Sequence, residues 1–150
     1  MNRALASVLA NQRARLDAAL EGLSTADFER EPGGDCNSIQ RIGAHLVMLV
    51  RFQLMLLESP RADSIDTEST PADADALQRT LAHALDELAG AVAEHDPEDW
   101  ERVPDVPRDG KWGDEPTLER VVRPMNDFTN HLGGIRALRR MFGNDIPRVQ

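Results

Sequence analysis

Residues 37–57 read NSIQRIGAHLVMLVRFQLMLL, and this stretch decides the fold. Asn37 is followed three residues later by Gln40, a pairing that can satisfy free backbone amides reciprocally at a helix start. A helix is therefore predicted from there through His45-Leu46-Val47-Met48-Leu49-Val50 to Leu56-Leu57. It is apolar over more than one face, so it is either central in a bundle or covered by a second subunit.

Working outward, Leu5, Val8, Leu9, Leu16, Ala19, Leu20 and Leu23 recur at three- and four-residue steps, which predicts a first helix over 3–23. A polar stretch opens at Ser24 and carries Pro32, Gly33 and Gly34, which break regular structure. Beyond the central helix, 58–69 holds Pro60 with Glu58, Asp63, Asp66 and Glu68 and reads as a solvated connection. Thr70-Pro71-Ala72-Asp73 then offers a capping hydroxyl, a first-turn proline and an acidic side chain. A third helix over 71–95 follows, with the stripe Leu77, Leu81, Ala84, Leu85, Leu88 and Val92.

Residues 96–115 contain Pro97, Pro104, Pro107, Gly110 and Gly113, and are expected to form a long loop, either an ordered lid or an omega-type loop. Trp100 and Trp112 are expected to pack it against the helices. Pro116 opens a fourth helix through Leu118, Val121, Met125, Phe128, Leu132, Ile135, Leu138 and Phe142, which Gly143-Asn144 ends. Pro124 predicts a kink in it. The reading is all-α: one four-helix bundle domain over 1–150 with a long loop before the last helix.

Composition agrees. Only 4% of the 150 residues are aromatic and Tyr is absent, a balance that disfavours strands. The net charge of −9 repels a phosphate backbone, so nucleic-acid binding is not expected. The N-terminal segment carries Arg3, Asn11, Gln12, Arg13 and Arg15 and lacks the apolar core of a signal peptide. No segment has the ~18 consecutive apolar residues of a membrane span. The lone Cys36 permits no intrachain disulfide, which fits a cytoplasmic protein.

The four histidines differ in setting. His45 shares a helical face with Ile42, Leu49 and Phe52 and should point into the bundle, either as a core residue bonded to a carbonyl or as a ligand. Asp127 and His131 stand one helical turn apart on the last helix, either as a surface hydrogen-bonded pair or as a joint grip on one ion. His83 lies opposite the apolar stripe of its helix and His95 at that helix's end, so both are read as surface residues. Cys36 stands just before a helix start, where the helix N-terminus could activate a thiol, but it is read first as a chance loop cysteine. Arg136, Arg139 and Arg140 are read either as a site for an anionic ligand near the last turn or, as the ordinary reading, as a solvated face suited to the helix C-terminus.

Asn37-Ser38-Ile39 followed by Ile42-Gly43-Ala44-His45-Leu46 resembles the second helix of the DinB-like superfamily, where an N-S-I start precedes the first metal-binding histidine. Asp127-Phe128-Thr129-Asn130-His131-Leu132-Gly133-Gly134-Ile135, with Gly143 downstream, is similar to that family's last-helix pattern H-x-x-x-H-x-G-Q-I. The resemblance implies a divalent metal (Zn, Ni, Fe or Mn) held by His45, Asp127 and His131. Asp127 stands where the family has a histidine, and Gly134 where it has a glutamine. Two histidines and a carboxylate form a ligand set that leaves coordination positions open.

The resemblance also implies relatives that act as thiol-dependent transferases and isomerases, using the low-molecular-weight thiols mycothiol or bacillithiol on a small-molecule substrate. Three readings follow: a metal-dependent thiol S-transferase or isomerase; a non-catalytic metal-binding or stress-associated protein; and a helical homodimer with no metal. No residue stands out as a general base.

Overall fold

The computed structural model describes residues 1–103 and 115–145. Four long helices dominate it: α1 (Asn2–Leu20), α3 (Ile39–Leu56), α4 (Ala74–Glu94) and α5 (Thr117–Met141), with a five-residue helix α2 (Thr25–Glu29) after α1. Single 3-10 turns occupy Pro60–Ser64 and Pro97–Glu101, and no strand occurs among the described residues. Most of the expected long loop, Trp112 included, lies outside the described residues.

Helix α1 packs against α4 and α5, and α3 packs against the same two. The helices therefore run around the bundle in the order α1, α4, α3, α5, with α3 lying beside α5 along its length. Leu5, Leu9, Leu16 and Leu20 of α1, Leu46, Val50 and Leu54 of α3, Leu77, Leu81 and Leu88 of α4, and Phe128, Leu132 and Ile135 of α5 form the core. These are the rows that a 3.6-residue period puts on one face of each helix.

The helix ends depart from expectation in three places. Ser38, not Asn37, caps α3: its Oγ accepts from the Arg41 amide at 3.3 Å, and Gln40 donates instead to the Pro71 carbonyl at 2.9 Å. Ser38 is almost fully buried, and that position fixes which of the two adjacent polar residues turns inward. Helix α4 begins at Ala74 rather than Pro71, because Asp73 Oδ1 takes the Ala76 amide at 2.7 Å. Helix α1 stops at Leu20, where Gly22 follows with φ +67°. Val8, placed in the apolar stripe by sequence, is 44% exposed.

The polar stretch after α1 is more ordered than its composition implied. Ser24 Oγ accepts from the Asp27 amide at 3.1 Å, and this cap starts α2, whose Phe28 is completely buried. At the other end of the chain, Gly143 (φ +83°) and Asn144 donate their amides to Arg140 and Arg139, the doubly bonded glycine cap of a helix C-terminus.

Two buried glutamines brace α5 around its internal proline. Pro124 has no amide proton to give its helix. Gln53 of α3 donates Nε2 to the Val121 carbonyl at 2.9 Å, and Gln12 of α1 donates Nε2 to the Met125 carbonyl at 2.8 Å. Both neighbours of α5 are thus bonded directly to its backbone, and α5 continues unbroken through Pro124 into the turn that carries Asp127 and His131.

Candidate metal centre

His45 lies on α3 and His131 on α5, and the adjacency of these helices brings the two imidazoles together. Their ring centroids are 4.7 Å apart and the rings meet edge to face at 77°. Each is half-buried. His45 sits with half-buried Ile42, Leu49 and Phe52 on the flank of α3, while the fully buried row is Ile39, Leu46, Val50 and Leu54. It therefore points to the seam between α3 and α5 rather than into the centre of the bundle, which corrects the expectation of a core-facing ring.

On α5 the completely buried residues are Phe128, Leu132 and Ile135. His131 occupies the flank of that row, and Asp127, one turn earlier, is exposed at its edge. Burial is the main influence on His45, and it lowers the affinity of the ring for a proton. A charge on His131 lowers it further, whereas Asp127 opposes both by favouring the imidazolium. The charges of both His131 and Asp127 are thus felt at the His45 ring. Among the described residues, no three His, Cys, Asp or Glu side chains are already gathered closely enough to hold an ion.

A neutral imidazole is the form that donates a lone pair to a metal, and burial holds His45 toward that form. Two imidazoles from different helices, with a carboxylate one turn from one of them, are a borderline donor set suited to zinc, nickel, iron or manganese. The chemistry of this set fits a divalent cation.

A family model of the DinB superfamily matches residues 9–134. The chain belongs to the DinB superfamily. The matched segment contains His45, Asp127 and His131. No curated protein and no solved structure matches the chain.

The other singled-out residues fall elsewhere in this DinB-superfamily protein. His83 is exposed on α4, as expected. His95 is not a plain surface residue: it caps α4, is half-buried, and lies against Trp100 with ring centroids 4.2 Å apart. Trp100 is buried and donates Nε1 to Asn2 Oδ1 at 2.8 Å, fastening the segment after α4 to the start of α1. Cys36 is exposed just before α3.

Arg139 also departs from the expected solvated face. It is 3% exposed, with Nη1 donating to the carbonyls of Ala19 and Glu21 at 2.9 Å each and Nη2 to that of Asp145 at 2.9 Å. It closes the end of α1, whose last carbonyls have no partner within their own helix. No described helix is long and apolar enough to cross a membrane.

Proposed function

We propose that this DinB-superfamily chain binds one divalent metal ion through His45, His131 and Asp127, and uses it as a metal-dependent thiol S-transferase or isomerase. The observation that carries the reading is the meeting of His45 and His131 across the α3–α5 seam. Imidazoles that meet in a half-buried seam and repel one another when charged have a natural common partner in a cation. Asp127 supplies the third donor, and its exposure leaves its side chain unconfined by the core.

When bound, the ion favours the thiolate of a low-molecular-weight thiol and offers it to an electrophile. The protein's own part is to orient. Gln53, Gln12 and the core row of α5 hold the backbone that presents Asp127 and His131, and the flank of α3 presents His45. Partial burial of both rings limits the water that competes for the site.

Conjugation of mycothiol or bacillithiol to a generic electrophile such as monochlorobimane, by wild type and His45→Ala, tests this. Activity in the wild type and its loss in the variant support the enzyme reading. Equal inactivity of both proteins across several thiols, with metal bound by the wild type, leaves a non-catalytic metal-binding protein.

A homodimer is the companion proposal, favoured by one observation. Met48 and Met55 on the outer side of α3 are 51% and 44% exposed and flank half-buried Phe52. An apolar face of this kind on a charged protein suits a second copy of the same chain. Sedimentation of the wild type and of Met48→Glu distinguishes a dimer that dissociates in the variant from a monomer throughout.

A further inference from the structure

Beside His131, between the start of α3 and the last three turns of α5, lies an open-sided cavity of about 350 Å³, lined by half-buried and exposed residues. Ile42, Ala137, Leu138 and Met141 supply its apolar walls, Gly134 leaves a gap in the side-chain layer, and His131 stands on its border. Cys36 and Asn37 complete the rim. None of these residues is acidic or an arginine or lysine, although charged residues make up 29% of the chain.

Two details show that the space is usable. A Cβ built on Gly134 meets nothing closer than Ile42 Cδ1 at 3.8 Å, so the absence of a side chain there keeps the cavity open. Met141 is 60% exposed, and an unbranched thioether can fold over a guest of varied shape. The volume falls at the lower end of the range for small-molecule sites, enough for one substituted ring.

We propose that this cavity seats the hydrocarbon part of a small neutral organic substrate, an aryl or branched alkyl group, with its reacting carbon turned toward His131. The assignment deepens the thiol-transfer reading and rests on it for the direction of the reacting carbon. No arginine or lysine in the lining would hold an anionic guest, and the polar groups, His131, Asn37 and Cys36, stand at the border and rim rather than on the apolar walls.

Cys36, the only cysteine of the chain, is a built-in reporter on the rim. The metal-free protein, held in chelator, is treated with N-phenylmaleimide and with N-(2-hydroxyethyl)maleimide, and the rate ratio is normalised to that of free glutathione. In each case the thiolate sulfur bonds to an alkene carbon and the neighbouring carbon takes a proton, and the normalisation to glutathione removes the difference in intrinsic reactivity, leaving the effect of the group the cavity receives.

The wild type should prefer the phenyl reagent by about tenfold over glutathione, the effect of partly burying one ring. Gly134→Leu, which puts a branched side chain into the cavity, and Met141→Glu, which places a charge on its exposed rim, should each bring the ratio back toward that of glutathione. A wild-type ratio equal to that of glutathione, or a preference that survives both substitutions, overturns the proposal. Because the readout needs no metal, its failure is distinct from a failed metal titration, which bears on the centre itself.

Discussion

The side-chain amide of Gln53 donates to the main-chain carbonyl of Val121 at 2.9 Å, so the helix that carries His45 is bonded to the helix that carries Asp127 and His131. Gln53 is 1% exposed, so the bond it makes lies away from bulk water. Gln53→Ala should lower stability by about 1–3 kcal/mol, the cost of a lost buried hydrogen bond together with lost packing. Urea unfolding at neutral pH measures it. If the seam positions the ligands, the same variant also weakens metal binding without touching a ligand.

Close approach of α3 to α4 depends on Gly43. A Cβ at that position would stand 2.2 Å from Leu77 Cδ2 and 2.9 Å from its Cδ1, and Leu77 is completely buried. Gly43→Ala should therefore destabilise by about 1–3 kcal/mol through overpacking, even though alanine favours helix. Leu77→Ala in the Gly43→Ala background should cost less than it does alone, because the added methyl occupies part of the space vacated. A denaturant-measured double-mutant cycle reads the coupling.

Replacement of Arg139 removes donors from the carbonyls of Ala19, Glu21 and Asp145 at once. Arg139→Met, which keeps much of the volume, should cost about 2–4 kcal/mol, as each abandoned carbonyl loses a charged donor. Arg139→Lys should recover only part of this, since an ammonium cannot reproduce the planar fork of a guanidinium. Thermal unfolding of the three proteins ranks them.

His45 sets a pH dependence in the metal-free protein. Burial, the largest influence, and then His131 lower its pKa below the ordinary 6.5, against the pull of Asp127. Its unfolded form thus binds a proton at a pH where the folded form does not. The neutral ring's contribution is present above pH 6.5 and diminishes as the pH falls below it, until the folded ring too is protonated. Wild-type stability should fall more steeply than that of His45→Gln between pH 7 and 5, as urea midpoints across that range would show. Parallel curves would contradict it.

Much of this was legible in the sequence, and the illegible parts share a cause. The four long helices follow from apolar rows at three- and four-residue steps, and the likeness to the DinB superfamily rests on Asn37 to Leu46 and Asp127 to Ile135. The bracing residues were hidden because polar side chains at core positions look like solvated ones. Gln12 falls in the row of Leu5, Leu9 and Leu16, and Arg139 in that of Phe128, Leu132 and Ile135. A polar residue in register with a buried row was the signal that could have found them.

Helix α2 was missed because five residues are too few to show a period, and its one buried side chain, Phe28, only acquires meaning against the bundle. The seam location of His45 was missed for a related reason. Its face on α3 is predictable from sequence, but that face becomes core or flank only once α4 and α5 have taken their places beside it.

Titration of the metal-free protein with zinc and with nickel, followed by calorimetry, tests the proposed centre most directly. One ion per chain should bind the wild type, with affinity reduced at least about a hundredfold in His45→Ala and in His131→Ala and about tenfold in Asp127→Asn, each reduction reflecting a lost or weakened ligand. Binding of equal affinity by the wild type and His45→Ala would contradict the account.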